Sequence, residues 1–268
     1  MINDGPKISI LTVVWNEERL LDKFFNNLKD QIFNDWEIIC VNNGSGDKSL
    51  EKIVEWQKTF PPEKFKIINN KTNIGLTKAL NMAIKEAHGK YLARIDPDDS
   101  WEKEKLEKQI NFLENNLDHG IVGCNHLNIY AESKKKKYVR LPETHEMIAK
   151  KLFRRNPFAH SCILARTDLI KSARGYNEKI KYGQDYDLWL RCFPLTKFYN
   201  LQEFLCQRSI DGGISVKKQN EQMWQSIKTR IKYIKKYRYG FKNYLYLIEP
   251  LMVIITPNFI KKIKRRFL

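Results

Sequence analysis

Apolar runs alternate with helical patterns along the first third of the chain, and this order constrains the fold more than any other feature. Four runs are nearly uncharged and rich in β-branched and aromatic residues, as strands buried on both faces are. They are residues 7–15, 36–42, 65–69 and 91–95. The segments between them place apolar residues at helical spacing. This β-α-β-α-β-α-β order predicts a doubly wound, mostly parallel, Rossmann-like α/β sheet.

A polar segment follows each of the four runs. These segments are residues 14–17, 42–46, 69–75 and 96–99. Because doubly wound sheets bind ligands at the carboxyl ends of their strands, we expect the segments to converge on one crevice. Neither a G-x-G-x-x-G turn nor a G-x-x-x-x-G-K-S/T loop follows the first run. Bound phosphates are therefore not expected to rest on a glycine-rich helix N-terminus.

The fourth polar segment is strongly acidic, with Asp96, Asp98 and Asp99 inside four residues. Like charges this close repel one another, and Mg²⁺ or Mn²⁺ would relieve the repulsion while bridging the carboxylates to a substrate diphosphate. The alternative is a turn that starts a helix over residues 101–115. In that case Asp99 is the N-cap and Glu102 its capping-box partner.

Positive charge is concentrated at the end of the chain. Residues 217–268 hold 14 lysines and arginines against two glutamates, which is +12 of the total net charge of +17. An anionic membrane lipid, nucleic acid or an anionic substrate would each fit such a surface.

The cysteines and the start of the chain indicate a reducing compartment. The five cysteines are scattered and include no C-x-x-C pair, which argues against a zinc site or a disulfide framework. The first residues lack the basic and apolar regions of a secretory signal. We therefore expect a cytoplasmic protein.

Five segments, in this order, resemble the motifs of the family 2 inverting glycosyltransferases, which have the GT-A fold. The segments are residues 8–17, 41–47 (V-N-N-G-S-G-D), 73–83, 96–99 (D-P-D-D) and 183–191 (G-Q-D-Y-D-L-W-L-R). The resemblance covers roughly residues 6–215. It implies an enzyme of the hexosyltransferase class that takes a sugar from a nucleotide diphosphate.

The resemblance also implies a donor site and a metal site. Asp98 and Asp96 match the Asp-x-Asp motif that holds the divalent metal, Mn²⁺ or Mg²⁺. The expected donor-binding residues are Val14, Glu17, Asn43, Asn73, Gly75, Lys78, Asp96, Asp99 and Arg208. Arg208 precedes a turn-rich segment, residues 211–215, which we expect to close over the diphosphate.

One loop departs from the family pattern. After the second strand the family has two aspartates, whereas this chain has Asn42 and Asn43. In relatives the second aspartate contacts the uracil N3–H. Asn43 can accept the same hydrogen bond through its amide oxygen, but a neutral partner leaves the choice of base open.

On the acceptor side, the resemblance implies that Asp185 is the catalytic base, which removes the proton of the acceptor hydroxyl as that oxygen attacks the sugar. It also implies that His160, Gln184 and Trp189 lie near the acceptor. Two alternatives stay open. Asp187 is a second candidate base, and Asp185 could serve only as the N-cap of its helix.

Residues 216–268 are expected to form a helical, basic and aromatic extension of a catalytic domain, residues 1–215. The apolar positions of its first helix are Trp224, Ile227, Ile231, Tyr233, Ile234 and Tyr237. An apolar stretch, residues 244–257, and a basic cluster, residues 261–266, follow. Such a pattern fits a peripheral segment on an anionic membrane surface. The alternative is packing on its own domain or on a second subunit of a homodimer.

We therefore predict a metal-dependent, inverting glycosyltransferase with a UDP-sugar donor. The expected acceptor is a hydroxyl of a glycan, lipid-linked at the cytoplasmic face of the cell membrane, in surface polysaccharide synthesis. A nucleotidyltransferase is one alternative, but residues 14–18 lack its glycine-rich, basic first turn. A basic nucleic-acid-binding protein is another. A protein of that class should carry its basic residues along a groove. Here the candidate site is acidic and the excess of basic residues lies in residues 217–268, so we expect no nucleic-acid partner.

Overall fold

The computed structural model of the chain describes residues 5–130, 133–210 and 219–256. Its strands are β1 Ile8–Val14, β2 Trp36–Asn43, β3 Phe65–Asn70, β4 Tyr91–Arg94, β5 Ser100–Trp101, β6 His119–Tyr130, β7 Lys135–Val139, β8 Leu164–Arg166 and β9 Lys197–Ser209. Its α-helices are α1 Leu21–Lys29, α2 Ser49–Gln57, α3 Leu76–Lys85, α4 Lys105–Asn115, α5 His145–Lys151, α6 Thr167–Ser172, α7 Gln184–Cys192, α8 Gln219–Lys236 and α9 Ile248–Ile255.

Within the described residues the strands form one sheet, in the order β3-β2-β1-β4-β8-β6-β9-β5, with β7 paired to β6. The β3-β2-β1-β4 half is parallel throughout, which confirms the predicted doubly wound core. Val14 lies opposite Asn42, and Asn42 lies opposite Asn69. The polar segments after these strands therefore start at the same level of one sheet edge. In the other half, β8 runs antiparallel to β4 and β6, while β9 runs parallel to β6.

Apolar side chains cover both faces of the sheet. On one face, α1 and α4 pack against alternate strand residues such as Ile8 and Ile10. On the other face, α3 and α7 pack against Leu11, Ile39 and Val41. Each such side chain, when fully buried, stabilises the fold by about 1.5–3 kcal/mol, so the sheet edge that carries the polar segments rests on a rigid base.

The helix expected from residue 101 begins at Lys105 instead, because β5 intervenes and pairs antiparallel with β9. The Asp99 carboxylate accepts a hydrogen bond from the backbone N–H of Ser209 at 2.9 Å. Asp99 is therefore not a helix N-cap, and the capping box with Glu102 does not form. Pairing between distant strands overrides the local capping pattern here, and it ties Asp99 to the end of β9.

The five cysteines are all buried free thiols. Cys124, Cys162 and Cys206 bring their sulfur atoms within 4.8 Å of one another, although they are far apart in the sequence. This cluster depends on the neighbouring positions of β6 and β9 in the sheet, so sequence spacing gives no sign of it.

The tail, which is our name for the C-terminal extension and which the structure describes over residues 219–256, packs partly on the rest of the chain. Helix α8 buries Tyr233 and Ile234 in a cluster with Phe153 and with Leu190 of α7. In the part of the chain that the structure covers, no helix is both long enough and apolar enough to cross a membrane. The expected domain boundary at residues 215–216, the loop 211–215 and the basic cluster 261–266 fall outside the described residues.

Gly44 allows the loop after β2 to approach the turn after β3. Its φ is 72°, and a Cβ added there would lie 2.3 Å from the backbone carbonyl carbon of Thr72. A Cβ at Gly46, two residues later, meets nothing within 4 Å. Only the first of the two glycines in this loop is therefore required by the packing.

We expect Gly44→Ala to lower the free energy of unfolding by about 2 kcal/mol or more, because both the backbone conformation and the contact with Thr72 disfavour a side chain. The matched change Gly46→Ala should stay within about 0.5 kcal/mol of the wild type. Urea denaturation monitored by circular dichroism measures both. Equal stability of the two variants would contradict the assigned contact.

Candidate active site

Three carboxylates meet just after β4. Asp96 is half-buried, Asp98 is exposed and Asp99 is buried, and an oxygen of each lies within 4.8 Å of the others. Arg94, which is 4% exposed, forms an ion pair with Asp96 and donates to Ser161 Oγ at 3.2 Å. The acidic corner, Asp96, Asp98 and Asp99, is thus built around one buried guanidinium.

Glu17, in the turn after β1, adds a fourth carboxylate. Burial, followed by the negative charges of Asp98 and Asp96, raises the pKa of Glu17 to about 7. Burial and then the charge of Asp96 raise the pKa of Asp99 to about 7. Partial desolvation by the surrounding side chains, followed by the charge of Asp96, also raises the pKa of Asp98. These shifts mean that the ionised forms lack compensating positive charge.

The donor atoms of the acidic corner fit a divalent cation. Carboxylate oxygens are the hard ligands that Mg²⁺ and Mn²⁺ take, and a cation among them would offset the crowding that raises their pKa values. Asp98 and Asp96 would hold the ion, because Asp99 is buried and engaged with the backbone of Ser209.

The loops after β1 and β2 are joined by hydrogen bonds. Asn16 has a left-handed backbone, with φ 58°, and its Oδ1 accepts from the N–H of Gly46 at 2.7 Å. The N–H of Glu17 donates to Ser49 Oγ at 2.9 Å. These bonds hold the Glu17 backbone in place, which explains the polar residues after both strands.

Asn43, the expected base contact, is only 2% exposed. Its Nδ2 donates to Asn73 Oδ1 at 3.1 Å, and its Oδ1 accepts from Asn70 Nδ2 and from the N–H of Ile74, each at 3.2 Å. Both acceptor positions of this oxygen are filled. A hydrogen bond from a base N3–H would require one of them to open. Asn73 also accepts from the N–H of Gly75 at 2.9 Å, so these three predicted donor residues form one bonded cluster.

The remaining predicted donor residues differ in their access to a ligand. The Val14 side chain is fully buried in the core, so only its backbone is available, whereas Lys78 is exposed in the first turn of α3. Arg208 is partly buried, and its Nε has no hydrogen-bond partner among the described residues. Its positive charge lowers the pKa of both Asp98 and Asp185 against the effect of burial. Arg208 is therefore close to the acidic corner and to the predicted base.

Asp185 lies in the first turn of α7, where Asn156 Nδ2 donates to its Oδ2 at 2.6 Å. The capping position belongs to Gly183, with φ 67°, so the interpretation of Asp185 as only an N-cap is wrong. Burial raises the pKa of Asp185, while Arg94 and Arg208 act in the opposite direction. A carboxylate with a raised pKa accepts a proton more readily.

Asp187, the alternative base, is fully buried. Its Oδ2 accepts from Arg191 Nε and its Oδ1 from the hydroxyl of Tyr233, each at 2.9 Å. A substrate hydroxyl cannot reach a carboxylate enclosed in this way, so the alternative is wrong.

Of the three expected acceptor-side residues, Gln184 begins α7, Trp189 lies further along the same helix and His160 packs against Trp189. His160 is 8% exposed, with its Nε2 2.6 Å from the hydroxyl oxygen of Tyr176. Burial, followed by two nearby arginines, holds the pKa of His160 well below its usual value, so the ring is neutral. Trp189 is fully buried edge-to-face against His160 and supports it from the core, while Gln184 keeps partial exposure.

Residues 9–172 match the family model for glycosyl transferase family 2. The chain belongs to this family. It is therefore a glycosyltransferase, as predicted from its motifs. The two alternative predictions, a nucleotidyltransferase and a nucleic-acid-binding protein, do not agree with the family match.

Individual relatives agree with the family match. The chain is 31% identical to the uncharacterized glycosyltransferase MJ1057 of Methanocaldococcus jannaschii, over 97% of this chain and 93% of that protein. It is 32% identical to the amylovoran biosynthesis glycosyltransferase AmsE of Erwinia amylovora, over 70% of each. A crystal structure of S. aureus TarS in complex with UDP matches with a TM-score of 0.66 at 19% identity, over 83% of this chain and 65% of that one. The fold is thus GT-A, as expected.

The candidate site includes residues that the sequence patterns did not single out. Arg94 and Asn156 bond directly to the carboxylates of Asp96 and Asp185. Arg94 does carry a signal, because a charged residue inside an apolar strand needs a buried partner. Asn156 carries none, since its role depends on a contact between distant segments.

We expect the crowded carboxylates to make the stability of the metal-free protein pH-dependent. A carboxyl whose pKa is raised to about 7 keeps its proton in the folded state but not in the unfolded state, so stability falls as the pH rises from about 4 to 7. Glu17→Gln removes one repelling charge and should raise the free energy of unfolding at pH 8 in EDTA by about 1 kcal/mol, with a smaller gain at pH 5.5.

Urea denaturation at the two pH values measures this difference. Glu51→Gln, an exposed change on α2, is the control and should give the same result at both. A gain for Glu17→Gln that does not depend on pH would contradict the assigned repulsion.

Proposed function

We propose that the protein is a metal-dependent, inverting glycosyltransferase that moves the sugar of a UDP-sugar onto a glycan hydroxyl. One observation carries the proposal. Arg208 acts electrostatically on two distinct carboxylate groups, the crowded acidic corner through Asp98 and the separate Asp185. An inverting transfer needs this arrangement, with charge compensation on the donor side and a single base on the acceptor side.

On the donor side, Asp98 and Asp96 would hold a divalent cation, which when bound neutralises charge on the leaving diphosphate. Arg208, whose Nε–H has no partner among the residues that the structure describes, would bind a phosphate oxygen directly. Asp99 takes no part in ligand binding in this scheme. It fixes the position of β9 and hence of Arg208 through the N–H of Ser209.

On the acceptor side, Asp185 would accept the proton of the acceptor hydroxyl while that oxygen bonds to the anomeric carbon and the bond to UDP breaks. Asn156 donates to Oδ2 of Asp185, and Oδ1 would accept from the substrate. Attack opposite the leaving group inverts the anomeric configuration, since no covalent enzyme intermediate forms. The neutral His160 would line the pocket without competing for the proton.

The donor and acceptor classes rest on the relatives. UDP bound to TarS, which has the same fold, supports a uridine donor, and AmsE supports a glycan acceptor in polysaccharide biosynthesis. The uridine assignment requires the Asn43 cluster to accommodate the base in place of the usual carboxylate.

We further propose that the acceptor is lipid-linked and that the tail holds the enzyme on the cytoplasmic face of an anionic membrane. Residues 241–255 expose a set of large apolar side chains. They are Phe241, Leu245, Ile248, Leu251, Met252 and Ile255, which we call the apolar patch. Exposed cations at Lys235, Lys236, Arg238 and Lys242 adjoin it in the sequence. Peripheral helices bind membranes by inserting apolar side chains between the lipids while their cations contact the anionic headgroups. The apolar patch and these cations fit that mode of binding.

Two substitutions should separate the donor and acceptor roles. Asp185→Asn should lower kcat by about 10²–10⁴-fold through loss of the base, with unchanged binding of UDP. Asp98→Asn should instead weaken UDP binding in the presence of Mn²⁺, because the metal loses a ligand. Calorimetry with UDP and a transfer assay with a panel of UDP-sugars measure the two effects, and NMR assigns the anomer of the product.

Asp118→Asn, at an exposed carboxylate paired with Lys197, is the matched control and should leave both quantities unchanged. Full activity of Asp185→Asn, or a product that retains the anomeric configuration, would refute the proposed mechanism.

Membrane binding is tested by sedimentation with vesicles. We expect the wild type to bind phosphatidylglycerol vesicles better than phosphatidylcholine vesicles, and less as salt rises. Phe241→Ser with Ile255→Ser should release the protein, whereas Leu117→Ser, which removes an equally exposed side chain elsewhere, should not. No binding to anionic vesicles would contradict the proposal. A dimer lost in the same double variant would assign the apolar patch to a second copy.

A further inference from the structure

The tail helix α8 contacts the helix that carries the proposed base. Tyr233, which is 1% exposed, donates its hydroxyl to Asp187 Oδ1 at 2.9 Å. Asp187 follows Asp185 by two residues in the first turn of α7. The hydrogen bond therefore joins the tail to the turn in which Asp185 lies.

This turn needs an external support. The first N–H groups of a helix lack partners within the helix, so the first turn is the part most easily deformed. Here the N–H of Asp187 closes the turn onto the carbonyl of Gly183 at 3.1 Å. The side chain of the same residue is anchored on Tyr233. Together these bonds fix the residues on either side of Asp185.

The buried charge of Asp187 makes the anchor specific. Its other oxygen accepts from Arg191 Nε at 2.9 Å, and Lys232 Nζ of α8 lies 3.6 Å from Oδ1. A buried carboxylate is costly unless its hydrogen bonds are complete. Two of the three groups that satisfy Asp187, Tyr233 and Lys232, come from the tail.

The same network reaches the acceptor side. Arg191 also donates to the carbonyl oxygens of Ala173 and Gly175, the latter at 2.7 Å. The next residue, Tyr176, lies 2.6 Å from His160 through its hydroxyl. Asn81 of α3 holds the backbone of Tyr176 from the other side, with bonds of 2.8 and 2.9 Å. Continuous hydrogen bonds thus connect Tyr233 with the segment before α7.

We propose that Tyr233 is a positioning residue for the transfer step. It holds the first turn of α7 so that Asp185 faces the acceptor hydroxyl, and residues 219–239 are part of the catalytic unit rather than a separate extension. The inference rests on the proposed function of Asp185. Loss of the Tyr233 hydroxyl should change kcat and not KM for the donor, because the donor-binding residues lie on other segments of the chain.

The test compares Tyr233→Phe with Tyr237→Phe. Both remove one hydroxyl that donates to α7, Tyr233 from within α8 and Tyr237 from the residue directly after it. Tyr237 donates to the backbone carbonyl of Leu190, in the last turn of α7 and not the first. Each variant keeps its aromatic ring, so the fold is retained. We expect Tyr233→Phe to lower kcat by about tenfold, since a small misplacement of a reacting group is costly, and to leave KM for the UDP-sugar within about twofold. Tyr237→Phe should keep the wild-type kcat.

Hydrogen exchange supplies a readout that does not require activity. The amides of residues 183–187 should exchange about tenfold faster in Tyr233→Phe than in the wild type or in Tyr237→Phe, if the hydroxyl stabilises this turn. A wild-type kcat and unchanged exchange in Tyr233→Phe would overturn the proposal, as would an equal loss of kcat in both variants. If the wild type transfers no sugar at all, the proposed function fails, and the exchange rates alone decide whether Tyr233 holds the turn.

Discussion

The charge balance around Arg94 connects the acidic corner with Asp185. This guanidinium is buried at the end of a parallel strand, where it would be unstable without the carboxylate of Asp96. It also bonds to Ser161, next to His160, and its charge lowers the pKa of Asp185. The acidic corner and Asp185, the carboxylates of the proposed donor and acceptor sides, are therefore coupled electrostatically before any ligand arrives. A change at Arg94 would affect both.

Local patterns in the sequence predicted the parallel core because each strand of that core is buried on both faces and needs an apolar run. The same reasoning placed the ends of β1, β2 and β4 at one edge, and the register of Val14 opposite Asn42 confirms it. Five motifs in the family order predicted the family. These features depend on residues that are close in the chain.

Features that depend on distant contacts could not be predicted in this way. The pattern at Asp99 indicates a helix cap, but pairing between β5 and β9 decides its role. Asp185 and Asp187 are two residues apart and chemically identical. They are distinguished by their partners, because Tyr233 of the tail and Arg191 of α7 enclose Asp187 and not Asp185. The filled acceptor positions of Asn43 likewise become visible only when β3 lies beside β2.

The bond between Tyr233 and Asp187 spans 46 positions of the chain, and this has a consequence for recombination. A hybrid transferase that took its segment after β9 from a different relative would bring new residues to a buried carboxylate. Unless those residues supplied a hydroxyl and a cation at the same places, the substitution of the segment would leave the buried carboxylate of Asp187 without its partners. The two segments are therefore expected to be inherited as one unit, whatever acceptor each lineage uses.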